Sequence, residues 1–233
     1  VILKLPIYLD SIGTVLVGAL LGPIAGAVTG ILGTVIWAVT LNPGAMPYAI
    51  VAGVIGLMAG VFGKRGLFAT TSPAAVGAVV GALFFLAMSV FVLTLVTFTG
   101  DIWAIADADG AQISLTSLFA NNAVLLSGMI VVGAVAGYFL IRNGGYIGLA
   151  GILTGIVAAA VSAPISVYVS GGYNGSGTDM LVSGFQAAGN SIVTSVLAQG
   201  MVSDPFDKLA SFMVVWAIIN LLPLRVRDRF SAE

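Results

Sequence analysis

The sequence contains no cysteine and no histidine, and only 7% of its 233 residues are charged. Without cysteine there are no disulfides and no thiolate metal sites. Without histidine the commonest zinc donor and the commonest proton shuttle are both missing. A serine nucleophile would find no imidazole to deprotonate it. No metal site, no bound cofactor and no enzymatic activity are therefore expected. A net charge of −1 gives nucleic acid nothing to be attracted to. Nor is there a P-loop to hydrolyse ATP: Gly63, Lys64 and Arg65 lack the glycine five positions earlier, where Met58 stands, and the Ser/Thr that should follow the lysine. Soluble domains carry about 25% charged residues. A chain this poor in charge cannot cover a water-facing surface.

What fills the sequence instead is apolar. Hydrophobic residues make up 59%, and mean hydropathy is +1.14. This is the composition of an integral membrane protein whose solvent is the lipid bilayer. The expected fold class is all-α, a polytopic transmembrane helix bundle forming a single membrane domain over 1–233. A spanning helix needs roughly 17–25 apolar residues, fewer where neighbours shield it. About seven segments qualify: 7–21, 23–41, 47–62, 72–99, 118–141, 146–169 and 206–222.

Basic residues orient these segments. Lys64 and Arg65 follow the third, Arg142 the fifth, and Arg225, Arg227 and Arg229 the last. The connections 100–117 and 170–203 carry no Lys or Arg but hold Asp101, Asp107, Asp109 and Asp179. The positive-inside rule places the basic ends and the C-terminus in the cytoplasm, and the acidic segments 100–117 and 170–205 outside. By that count residues 1–6 lie outside, so one further helix is expected upstream. The apolar stretch 180–200 would reverse the last basic cluster if it spanned. Ser183, Gln186, Asn190 and Thr194 recur on one helical face, which predicts an amphipathic or re-entrant helix on the outer side.

Glycine is the other plentiful residue. Gly18, Gly22, Gly26 and Gly30 repeat every fourth position, making a flat face for helix packing or for docking a partner. Similar ladders run through Gly53, Gly56, Gly60 and Gly63, and through Gly133 and Gly137. The segment AGAVTGI at 25–31 is echoed by AGILTGI at 150–156, a match that chance composition explains equally well.

Polar residues gather toward the acidic ends. Asp10 stands at the mouth of the first segment, where it serves either as a helix N-cap or as a ligand group, with Tyr8 beside it. Asn42, Asn121, Asn122, Asn174, Gln186 and Asn190, with the aromatic rings of Trp37, Trp103, Tyr168 and Tyr173, suit a small, partly planar, polar solute. The rival reading for the rings is an interfacial belt. At 203–208, Asp204 reads as an N-cap, Pro205 as the first helical residue and Asp207 as the third. Asp207 with Lys208 could also pair with a zwitterion. Every acid is read near an end or in a loop, which argues against a proton-driven pump.

LPIYLDSIGT at 5–14, running into GALLGPIAG at 18–26, resembles the substrate-binding S components of energy-coupling factor (ECF) transporters. DPFDK at 204–208 and LPLR at 222–225 add weaker likeness. The resemblance implies a small helical protein that captures a vitamin or precursor from outside. It implies association with a transmembrane coupling subunit and cytoplasmic ATPase subunits, and no ATPase activity in the chain itself. By that pattern Tyr8 and Asp10 lie on a first pocket-lining loop and Asn42 on a second. The family's first helix is not seen and the helix count differs. The expected substrate-binding residues are thus Tyr8, Asp10, Asn42, Asn121, Asn122, Gln186 and Asn190. The alternative is the membrane sensor module of a signalling receptor.

Overall fold

The computed structural model describes residues 9–97, 120–175, 178–187, 189–223 and 225. Tyr8, Trp103 and the acids of 100–117 lie outside these. All regular structure among the described residues is helical: α1 (Ile12–Leu21), α2 (Pro23–Thr40), a 3-10 turn (Pro43–Tyr48), α3 (Ala49–Lys64), α4 (Ala74–Thr97), α5 (Ala123–Leu140), α6 (Gly145–Ser170), α7 (Asp179–Ala187) and α8 (Ile192–Leu221). Four stretches are long and apolar enough to cross a membrane: Pro23–Thr40, Pro43–Lys64, Ala123–Leu140 and Gly145–Ser170. Large apolar side chains on their outer faces, such as Ile24, Val39, Val124 and Phe139, are exposed as lipid-facing residues are.

The first helix is half a span. With 10 residues it is about 15 Å long, against about 27 Å for the 18 residues of α2. Gly22, at φ +93°, takes the left-handed turn between them, and Pro23 opens α2 with a ring already set for helix. The two helices run antiparallel, with Gly18 against Gly26 and Thr14 against Gly30. Asp10 therefore enters α1 at a level near Thr34, well below the end of α2.

Small residues set the packing. A methyl placed on Gly56 would sit 2.1 Å from the carbonyl oxygen of Gly26, so α2 and α3 touch backbone to backbone. The ladder of Gly18, Gly22, Gly26 and Gly30 is buried inside the chain, against α3 and Lys64. A second pair, α4 and α5, closes the same way through Gly77, Gly81, Gly133 and Gly137. α6 and α8 form the third antiparallel pair, with Gly155 against Pro205 and Gly151 against Leu209. Ser72, which accepts from the Gly145 amide and donates to the Arg142 carbonyl, ties the start of α4 to the turn before α6.

Two expectations are corrected. Pro205 does not open a helix: Asp204, Pro205 and Asp207 lie midway along the 30 residues of α8. Its true N-cap is Ser191, whose hydroxyl accepts the Thr194 amide at 3.2 Å. Nor is 180–200 one helix. It divides into α7 and the first third of α8 at a turn through Gly189 (φ +89°), which places Gln186 and Thr194 on separate elements. With Asp204 and Asp207 at mid-helix, the acids are not confined to ends and loops.

Of the described basic residues, Lys64, Arg65, Arg142 and Arg225 share one end of the bundle, while Lys208 lies midway along α8. Lys64 lies along the Gly22 turn, Arg142 sits at the turn that Ser72 binds, and Arg225 follows α8. At the opposite end, Thr40, Tyr48 and Ser170 form a rim.

Candidate functional site

Helices α1, α2, α3, α6 and α8 do not close on one another over the rim half of the bundle. They enclose a half-open cavity of about 940 Å³. It reaches from Asn42, Tyr48, Tyr173 and Asn174 at the rim down to Asp10, Ser11, Asp207 and Lys208. Along α6 its lining runs from Ala158 to Ser170, a depth of roughly 18 Å at 1.5 Å per residue. Below that floor the bundle is filled by Val15, Ala59, Ala150, Phe68 and Phe212, with Phe68 stacked on Phe212 at 5.9 Å between ring centroids. The cavity thus opens toward the rim and is plugged toward the basic end.

The floor is a network of charges. Lys208 donates to Asp207, to Ser11 Oγ at 3.0 Å and to Asp10 Oδ1 at 3.3 Å. Asp207 also accepts the Leu9 amide at 2.9 Å, and Ser11 donates to Ser211 Oγ at 3.3 Å. These bonds bind the start of α1 to the middle of α8. Leu9 carries φ +52°, a left-handed backbone unusual for a branched aliphatic residue, held at the point where its amide meets Asp207. Gln199, Ser203 and Asp204 form a chain beside them: Gln199 Nε2 donates to Ser203 Oγ at 2.7 Å, and Ser203 Oγ to Asp204 Oδ1 at 3.1 Å. Lys208 and Asp207 are enclosed, whereas the Asp10 side chain is 72% exposed.

Sequence spacing explains this constellation. Asp204, Asp207 and Lys208 stand at i, i+3 and i+4, on one face of α8. Ser162, Ser166 and Ser170 stand four apart and line one side of α6. The rim is knotted by Asn174, which takes the Tyr48 hydroxyl at 3.1 Å and gives its amide to Ser166 at 3.0 Å. Asp179, buried at the start of α7, holds the same loop by accepting the amides of Asn174 and Gly175 at 3.3 and 2.7 Å.

Of the expected solute residues, Asp10 and Asn42 line the cavity. Asp10 meets Lys208, while the N-cap position of α1 falls to Ser11, whose side chain makes no capping bond. Asp10 also lies deeper than a loop position would. Gln186 is one contact removed, accepting from the hydroxyl of Tyr173. Asn190 turns inward on its own loop, giving its side-chain amide to the Phe185 carbonyl at 2.9 Å. Asn121 and Asn122 stand just before α5, which packs on α4, and neither is among the described residues lining the cavity. Tyr8 lies outside the described residues. The cavity adds Tyr48, Ser162, Ser166 and Asp204, which the sequence reading did not offer to a solute, and brings in Trp37, Asn174, Asp207 and Lys208, which it named without placing them in the expected set. The serine spacing within an apolar segment, and the i, i+3, i+4 charges, are the sequence signals that mark them.

Compared with known proteins, the chain matches no protein family, no curated protein and no solved structure.

Proposed function

We propose that this chain is the substrate-capture subunit of an ATP-driven importer of a micronutrient, a vitamin or precursor, in a cell membrane. The observation that carries the reading is the cavity itself: half-open at one end, plugged at the other, with polar groups at its floor and rings at its mouth. Lys64, Arg65, Arg142 and Arg225 lie at the plugged end, so the positive-inside rule turns the mouth outward and the C-terminus to the cytoplasm. About seven spans then cross the bilayer, with α8 as the last. In this reading the pocket holds the solute and does not itself drive it. Energy comes from cytoplasmic ATPase subunits through a transmembrane coupling subunit, as the resemblance to S components of energy-coupling factor transporters implies. The chain has no catalysis of its own in this scheme.

The test is retention and release. The full chain, purified in mild detergent, should carry a small molecule that native mass spectrometry detects. Asp10→Ala should lower its occupancy at least about tenfold, the loss expected for a charge-assisted contact. In proteoliposomes the chain alone should bind solute without accumulating it. Accumulation driven by a proton or sodium gradient in the absence of other subunits would overturn the reading, and the charged floor at mid-helix makes that control necessary.

A further inference from the structure

The floor and the mouth of the cavity differ in chemistry, and the difference constrains what fits. At the floor three carboxylates, Asp10, Asp204 and Asp207, face one ammonium, that of Lys208. Lys208 and Asp207 are enclosed, with side-chain exposures of 8% and 3%, and bond each other directly. Asp10 is different. It lies deep in the bundle yet is 72% exposed, and it lines the cavity. Its Oδ1 meets Lys208, and its Oδ2 has no partner among the described residues. Asp204 also lines the cavity, with Ser203 on one oxygen. Carboxylates inside a lipid-embedded bundle are held at a cost that a positive ligand lowers. Lys208 does not offset both, because its ammonium is already shared among Asp207, Ser11 and Asp10.

Higher in the same cavity the chemistry changes. Ser162 and Ser166 give the α6 wall hydroxyls, and Trp37, Tyr48 and Tyr173 bring rings to the mouth. Aromatic faces attract cations and stack on flat bodies. A solute that enters with a positive nitrogen foremost therefore meets rings first and carboxylates last. An anionic solute would meet surplus negative charge at the floor, and a neutral one would gain little from Asp10.

Resting on the solute-capture reading, we propose that the solute is a planar organic cation: a protonated amine, amidine or guanidine whose nitrogen docks between Asp10 and Asp204. Its flat body lies against the α6 hydroxyls and the rings of the mouth. Asp10 supplies the contact that discriminates by charge, and Lys208 keeps Asp207 and the start of α1 in place around it.

Benzamidinium, benzamide and benzoate are nearly one shape in three charge states, and their effect on the melting temperature of the purified full chain tests the proposal. Benzamidinium should raise it in a dose-dependent way, with half-effect at least about tenfold below benzamide or benzoate. Asp10→Asn should weaken the benzamidinium response about tenfold and leave the benzamide response unchanged. That variant keeps Lys208 bonded to Asp207 and Ser11, so it should fold; if it does not, Asp204→Asn is read in the same way. Equal or stronger responses to benzamide or benzoate would overturn the cation assignment. So would a neutral or anionic solute found in the native chain, though solute capture would then still stand. A chain that retains no solute and responds to none of the three would overturn both.

Discussion

Two aspartates of the floor, Asp10 and Asp207, bond the same ammonium and should behave in opposite ways when removed. Asp207 is 3% exposed and is bonded to Lys208 and to the Leu9 amide. Truncating it leaves a buried ammonium short of its main partner, and breaking such a pair costs about 3–5 kcal/mol. Asp10 is exposed, and its pairing contributes at most about 1 kcal/mol. Thermal denaturation in detergent should therefore show Asp207→Ala strongly destabilised and Asp10→Ala close to wild type, whereas solute binding should fall at least about tenfold in both. Equal melting temperatures for the two variants would mean that Lys208 finds another counter-charge. The sequence made Asp10 legible because a lone acid before an apolar run is conspicuous. It left Asp207 and Lys208 divided between a cap and a zwitterion pair, because Asp-Pro-Phe-Asp also spells a helix start, and spacing alone cannot tell a cap from a mid-helix face. The amides went astray for a related reason: Asn190 and Gln186 are polar at the right end of the chain, but their side chains are consumed by the turn and by Tyr173.

Helices obey the same division between what periodicity carries and what only packing reveals. The boundaries of α2, α4 and α6 fall within two or three residues of the apolar segments, since length and hydropathy alone define such elements. The extent of α8 was not legible. A proline within a membrane helix is tolerated when neighbours satisfy the backbone it frees, and Gly155 lets α6 approach the Pro205 backbone closely. Glycine ladders were visible as ladders, but which helix each would meet was not. Structure separates the glycines on one helix. On α5, a methyl at Gly137 would lie 2.1 Å from the Gly77 carbonyl oxygen, while at Gly128 nothing lies within 4 Å. Gly137→Ala should force α4 and α5 apart at a cost of about 1–3 kcal/mol. Gly128→Ala should be neutral or stabilising by roughly 0.5–1 kcal/mol, since alanine is the better helix former. Melting curves of the two single variants decide it, and a destabilised Gly128→Ala would mean that α5 has a partner on its outer face.

At the scale of the whole molecule the cavity matters only if its mouth faces the solute's side of the membrane. The distribution of charge argues that it does, because Lys64, Arg65, Arg142 and Arg225 share the end remote from the mouth. Absence of cysteine makes this directly measurable, since any single cysteine is the only thiol in the chain. Asn42→Cys places it at the mouth and Arg142→Cys at the basic end, both on exposed residues. In intact cells a membrane-impermeant maleimide should modify Asn42→Cys and spare Arg142→Cys until the membrane is permeabilised. Because Asn42 lines the cavity, saturating solute should also slow its modification, and should leave a cysteine at the exposed rim residue Tyr168, which is not among the lining residues, labelled at an unchanged rate. Labelling of Arg142→Cys from outside would invert the molecule in the bilayer and turn the pocket toward the cytoplasm. The carboxylates of its floor would then face a compartment from which import cannot draw, and the capture reading would give way to one of release or sensing.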